Sequence, residues 1–451
     1  MKRPLLFKFS TIALLILLLM VPISMINGVI HERKSSQQSV VEDIAKSSSY
    51  SQKLIGPVMV VPYTKKIKEW KVDENTRVRY QVDSVINLQL YFLPSAFEVD
   101  GKLKTERLSR GIYEARLYHA DNTISGHFEV PVNYGVTGDL QDYEFESPYI
   151  AMGIKDIRGI DSLKILVNNE ILKMESGTKL KILGEGAHAI LKQPDLLQKN
   201  ILHFKLDLVL RGTESFSIVP IGRESKVSIS SDWPHPSFMG DYLPIERTVE
   251  NTGFSARWQT SYFSSNLEES FNQCVSSADC DAFQNRFFGV SLIEPVDQYV
   301  KSDRAIKYAL LFIALTFAGF FLFEILKRLA IHPVQYGLVG LSLAFFYLLL
   351  VSLSEHIAFS TAYLISSSAC ILLIGFYVNY VLQSVLRGGI FSSLLASLYG
   401  LLYGLLSAED YALLMGSLLL FGLLGVFMIL TRKLDWYSIG RTENTRPGKE
   451  A

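Results

Sequence analysis

Apolar positions in this chain gather into six long runs, one at the start and five in the last third, with about 270 residues between them that hold no such run. About 20 residues at 1.5 Å each span a hydrocarbon layer of ~30 Å. The runs at 9–30, 305–326, 334–353, 357–382, 390–406 and 411–430 are each near or above that length. The first is read as an uncleaved anchor. Lys2, Arg3 and Lys8 would suit a signal peptide, but the apolar core is too long for one and Met25-Ile26-Asn27-Gly28 is a poor cleavage site.

Past the first run the pattern changes. Residues 31–49 are polar, with Val40, Val41 and Ile44 at helical spacing, which predicts a short helical stalk. From Lys53 the apolar period falls from about 3.6 to 2, the mark of half-buried strands. Strands are expected at 58–61, 85–92, 115–118, 127–130, 163–167, 180–183, 202–210, 227–230, 256–259 and 289–293. Turns are expected at Pro94, Asp100-Gly101, Asp139, Gly184-Glu185-Gly186 and Arg211-Gly212. No stretch of ten residues among them has strong helical periodicity, so a mostly antiparallel β domain follows, either a sandwich or a pair of small modules. The expected layout is an anchor at 1–30, a β-rich outer domain with its stalk at 31–303, a five-helix bundle at 304–433 and a tail at 434–451, giving six α-helical crossings in all.

Charge orients this layout. The short connections alternate between basic (Lys327-Arg328, Arg387, Arg432-Lys433) and non-basic (Ser354-Glu355-His356, Ser407 to Asp410). Because Lys and Arg are retained on the cytoplasmic side, both termini are expected inside and 31–303 in the periplasm. Arg304 and Lys307 at the outer mouth of the second run are a mild exception, and Trp436 and Tyr437 suit an interfacial anchor. The formal net charge of zero hides a split: residues 31–303 hold 31 Lys and Arg against 37 Asp and Glu, a balance of −6. An acidic domain without a basic stripe argues against nucleic acid as a partner.

Candidate chemistry is sparse. Cys274 and Cys280 flank five residues in an oxidising compartment, where a small disulfide is expected over two free thiols, and Cys370 reads as a small apolar residue inside a span. Gly184-Glu185-Gly186-Ala187-His188-Ala189 fits a dinucleotide fingerprint, but Pro194 arrives before a helix could form, so a plain turn is preferred. The eight histidines show no metal-ligand spacing, and no G-x-S-x-G occurs, so neither a cofactor nor a metal is expected. In the membrane runs, Glu324 lies beside Lys327 and Arg328, where pairing with them or reaching the interface would satisfy it, and no charge sits near a midplane. Asn379, Gln383 and Ser366-Ser367-Ser368 are the other polar positions, and Gly400 and Gly404 form a G-x-x-x-G that would let a helix approach closely.

The densest unusual string is Ser231 to Pro244. Its prolines remove donors and fix φ, so a rigid loop rather than a regular strand or helix is expected. Two readings stand. In the structural one, Trp233, Phe238 and Tyr242 cap the β core while Pro234 and Pro236 set turns. In the functional one, the loop is a recognition surface centred on Asp232 or His235. The structural reading is preferred because no partner acid, base or nucleophile is identifiable nearby.

That string, the Val219-Pro220-Ile221-Gly222 turn, Asp297-Gln298-Tyr299, the run 303–308 (DRAIKY), 338–355 (LVGLSLAFFYLLLVSLSE) and Asp435-Trp436-Tyr437-Ser438 together resemble the CreD family of bacterial inner-membrane proteins. The resemblance covers nearly the whole chain. It implies a Gram-negative inner-membrane protein with a periplasmic domain, expressed under a two-component system. It also implies a role in envelope integrity, with altered tolerance to β-lactams and colicins. The family offers no catalytic residues or ligand to carry over. The leading expectation is therefore a non-enzymatic envelope protein whose β domain binds a periplasmic or peptidoglycan-associated partner while the helices hold the lipid bilayer. One alternative is transport or lipid handling by the helical bundle, and another is an envelope enzyme using Asp232 and His235.

Overall fold

A computed structural model describes residues 4–72, 79–277, 279–292, 298–327, 331–407 and 412–432. The chain divides into two compact units, 38–295 and the helical remainder formed by 1–37 and 296–451.

The 38–295 unit holds two sheets around one core. The first is nine-stranded, ordered Pro236–Gly240, Phe288–Leu292, Ser215–Val219, Gln52–Val72, Tyr149–Ile154, Gly186–Ile190, Glu175–Ser176, with Arg79–Phe92 and Tyr143–Phe145 also pairing the long Gln52–Val72 strand. The second is eight-stranded, ordered Glu246–Glu250, Gly253–Thr260, Glu224–Ser231, Ala96–Arg110, Tyr113–Val130, Asn200–Thr213, Ile160–Val167, Glu170–Leu172. Pairing is antiparallel except where Gln52–Val72 meets Ser215–Val219 and Ala96–Arg110 meets Glu224–Ser231. Inward alternation is regular: Leu206, Leu208 and Leu210 are fully buried from one strand, Phe97, Val99 and Leu103 from another, and Trp258 and Phe288 close the core.

Several local expectations are corrected here. Asp100-Gly101 and Arg211-Gly212 lie inside strands rather than in turns. Each glycine is there because another side chain crosses it. A Cβ on Gly101 would meet Asn122 Oδ1 at 2.9 Å, and one on Gly212 would meet the Tyr118 hydroxyl at 2.3 Å. Residues 180–183 form a 3₁₀ turn, not a strand, with Leu180 and Leu183 buried on one side and Gly184 ending it at φ +70°. The domain also contains a helix the pattern did not disclose, Leu267–Ser277, whose Leu267, Phe271 and Cys274 recur at helical spacing and are buried.

In the helical unit, the N-terminal helix runs without a break from Pro4–Ser47, so the anchor and the expected stalk are one element. Val40, Val41 and Ile44, on the part belonging to the other unit, pack against Ala115 and Leu117. The crossing count is also corrected. Among the described residues four helices are long and apolar enough to span: Phe7–Ser47, Pro333–Ser354, Phe359–Val381 and Val385–Ser407. A fifth exists only if the pair Gln298–Lys307 and Ala309–Ile325, bent by 46°, is counted as one. The bend follows the charged turn Asp303, Arg304, Lys307, which cannot continue an apolar helix into lipid. The last run is helical over Ala412–Thr431. Lys2, Arg3, Arg328, the loop around Glu409 and Asp410, and the anchor Trp436-Tyr437 lie outside the described residues.

Candidate functional site

The 231–244 string is built differently from a loop. Pro236–Gly240 is an edge strand paired to Phe288–Leu292, with Phe238 opposite Val290. This corrects the expectation of an irregular loop: a proline is tolerated at the first residue of an edge strand, where no ladder donor is needed. The strand stops at Gly240, where φ is +106° and a Cβ would collide with the Phe287 carbonyl.

The aromatic residues of the string face inward. Phe238 sits edge-on to Phe254 and Trp258 at 5.8 Å, and Tyr242 edge-on to Phe288 at 5.7 Å. Trp233 is buried beneath the Arg116 guanidinium, 3.7 Å from ring centroid to Cζ, and its indole N–H donates to the His235 carbonyl at 3.0 Å. Asp232 is exposed, and one carboxylate oxygen accepts both the N–H and the hydroxyl of Thr105 at 2.9 Å. His235 is exposed and edge-on to Trp233 at 5.7 Å. Pro234 lies between them, partly buried. These contacts let Asp232 and His235 serve as surface posts of a rigid corner, each already held by a structural neighbour.

The feature with the properties of a contact surface lies one step along the chain. The Tyr242 hydroxyl donates to the Ser264 carbonyl at 3.0 Å, which brings the end of the string beside the short helix Tyr262–Ser265. Around that junction Phe263 is 94% exposed, Leu243 69% and Tyr262 51%. The same segment continues into Ile245 and then into Val249 on the exposed edge strand Glu246–Glu250. Isolated exposed apolar residues are ordinary, but a group of this size on one rigid corner is the kind of surface that meets a partner. The ring of Tyr262 is partly shielded by Arg223, 5.8 Å away. The sequence signal existed, Tyr262-Phe263 beside Ser261 and Ser264, but nothing in the sequence placed it next to Leu243.

The remaining candidates fall elsewhere. Cys274 and Cys280 are joined by a disulfide with Cα atoms 4.4 Å apart, tying the Leu267–Ser277 helix to the turn that follows. The 184–189 motif enters a strand at Gly186 rather than a helix, and His188 is buried with Nδ1 2.6 Å from the Gly177 carbonyl. No atom lies within 4 Å of a Cβ placed on Gly400 or Gly404, so within the described chain they are not where helices meet closely. Close approach occurs instead at Gly340, against Leu19 and Phe317, and at Gly388, against Asn379.

The helical unit carries ionic contacts that local sequence did not reveal. Glu324 is buried and pairs with Lys8 of the N-terminal helix, while also accepting from the Tyr336 hydroxyl at 2.9 Å. Toward the opposite end of that helix Arg33 reaches Glu355 at 3.3 Å, and the Tyr299 hydroxyl donates to the same carboxylate at 3.3 Å. Glu355, which lies in a short connection between two apolar runs, is an anchoring point. Among the described residues no group of three His, Cys, Asp or Glu side chains could hold a metal ion.

Compared with known proteins, the chain matches the family model described as inner membrane protein CreD over residues 4–437. It is also similar to the inner membrane protein CreD of Escherichia coli (strain K12), 39% identical over 440 residues that cover 97% of this chain and 95% of that protein.

Proposed function

The chain belongs to the CreD family of inner membrane proteins, and from that premise we propose a multi-pass, non-enzymatic envelope protein whose β unit recognises a periplasmic or peptidoglycan-associated partner. The supporting observation is the exposed corner of Leu243, Tyr262 and Phe263. In this reading the family's role in envelope integrity, its two-component control and its β-lactam and colicin phenotypes extend to this chain.

Orientation belongs to the same proposal. Lys8 and Glu324 meet at one end of the helical unit, and Arg33, Tyr299 and Glu355 meet at another place 25 residues further along the first helix, about 38 Å at 1.5 Å per residue. Arg33 and Tyr299, which flank the β unit in the chain, both meet Glu355. With basic Arg387 and Lys327 following the Lys8 end, retention of positive charge supports a cytoplasmic Lys8 end and a periplasmic β unit.

A photo-crosslinking residue placed at Phe263 in the full-length protein in cells is expected to give a discrete adduct, with a control at exposed Ile171 giving none. An identical adduct pattern at 263 and 171, or none at either, removes this reading. A second reading, lipid handling by the helical unit, is favoured by a cavity beside Ser366.

A further inference from the structure

The strands Tyr113–Val130 and Asn200–Thr213 pair antiparallel, and their register sets His127 directly opposite His203. The backbone decides how close these two side chains come. The His127 carbonyl accepts from the Ser95 N–H, while the His203 carbonyl accepts from the Asn168 N–H and the His203 N–H donates to Asn168 Oδ1, each at 2.9 Å. Both residues thus turn these backbone groups toward outer strands and away from each other, which makes them a non-hydrogen-bonded pair, the closer of the two kinds in an antiparallel ladder. Their chain neighbours Phe128 and Phe204 are buried in the core, so the alternation of the strands puts both imidazoles on the opposite, polar face. His127 is half-buried there and His203 is exposed.

Two imidazoles at this spacing have the geometry of two ligands of one ion. With metal–nitrogen bonds of about 2.0–2.1 Å and an angle of about 90–120° between them, the centres of the two rings fall roughly 4.5–5.5 Å apart. The His127 and His203 ring centres are 5.5 Å apart, and their planes are inclined at 44°, so the rings are not stacked face to face. Glu129, two residues along and on the same face, places a carboxylate oxygen 4.0 Å from His127 Nε2, while its other oxygen pairs with Lys199. That carboxylate stands where an outer-shell partner of a ligating histidine stands, and its charge favours a cation. The sequence shows no such pair because register alone, and not spacing along the chain, brings the two histidines together.

We propose that His127 and His203 form a surface site for a divalent transition-metal ion, with water completing its coordination. Imidazole suits copper, zinc and nickel, and an open site of this kind binds Cu²⁺ most tightly of the three. The site joins two strands of the eight-stranded sheet and does not depend on any partner at the Leu243 and Phe263 corner.

The test titrates untagged full-length protein in detergent with Cu²⁺ against glycine as a competing chelator, read by calorimetry and by electron paramagnetic resonance. Expected is one tight, saturable site per chain, with coupling to two imidazole nitrogens in the spectrum. Loss of a ligand costs at least as much as the ~10–100-fold typical of an outer-shell partner, so His127→Asn and His203→Asn should each weaken binding by roughly 100-fold. The control is His119→Asn, whose ring faces Glu106 at 3.4 Å and Asp161 at 3.8 Å; it should leave the site unchanged. Fluorescence of the buried Trp258 verifies that each variant is folded. Binding that survives both His127→Asn and His203→Asn overturns the proposal. So does a loss of half the bound metal in each, which would mean two independent histidines, or the lack of a saturable site in the unaltered protein. None of these outcomes bears on the crosslinking at Phe263.

Discussion

Asp156 shows how much a single position can hold without a motif to announce it. Its carboxylate is nearly buried and takes three N–H groups of Arg158, one from the backbone and two from the side chain, at 2.6–3.1 Å, together with the Tyr50 N–H at 3.0 Å. Its own N–H donates to Gln52, whose amide in turn donates to the Asp156 and Arg211 carbonyls. The first strand is thereby fastened where it begins. The Arg158 guanidinium beside it holds the carboxyl at about 2, against an ordinary value of 3.8. A carboxylate whose folded value is depressed stabilises above its unfolded value and loses that contribution as pH falls through the folded one. The window here runs from about pH 4 down to about pH 2. Asp156→Asn is expected to cost about 2 kcal/mol at pH 7, and the difference from the unaltered protein should shrink to about half by pH 3. Urea unfolding followed through the buried Trp258 at both pH values checks this; a cost independent of pH would mean the loss is one of shape and not of charge.

At the scale of elements, the chain was most legible where a single period ran uninterrupted. Leu202 to Leu210 alternates and is a strand, and the apolar runs after residue 332 are helices. It was least legible where a residue's conformation answers to something distant. Gly101 and Gly212 look like breaks because glycine is usually a break, yet each is the flat spot under a crossing side chain, and the crossing residue is far away in sequence. Glu324 is a similar case, since its apparent partners were its chain neighbours but its ion pair is with Lys8, 316 residues away. That pair, with Tyr336, joins the N-terminal helix to the bundle in the region where that helix begins. Removing one member strands the other. Lys8→Met is expected to destabilise by about 2–3 kcal/mol, less than the full cost of an unpaired buried charge, because Lys8 itself is 42% exposed. The pair Lys8→Met with Glu324→Gln should recover more than half of that loss. Thermal unfolding of the detergent-solubilised protein measures both; equal losses in the single and double variants would show that the two residues do not act on each other.

For the whole molecule, the two-part layout was readable from hydropathy alone, because a bilayer and a β core impose different periods on the chain. The exposed apolar corner was not, since Leu243, Tyr262 and Phe263 are brought together only when Tyr242 is tied to the Ser264 carbonyl. The orientation proposed from charge makes a direct claim about which side of the membrane each part occupies. Leu197 and Ile171 are strongly exposed on the β unit, and Ser384 sits at the Arg387 end of the helical unit. Each is replaced singly by Cys in a chain whose Cys370 is changed to Ala; Cys274 and Cys280 remain joined and unreactive. A membrane-impermeant maleimide added to intact cells with a permeable outer membrane should label 171 and 197 and spare 384. After the inner membrane is opened, 384 should label as well. The argument rests on Lys and Arg being held back from crossing, so labelling of 384 in intact cells together with protection of 171 and 197 would invert the molecule and move the aromatic corner out of reach of any periplasmic partner.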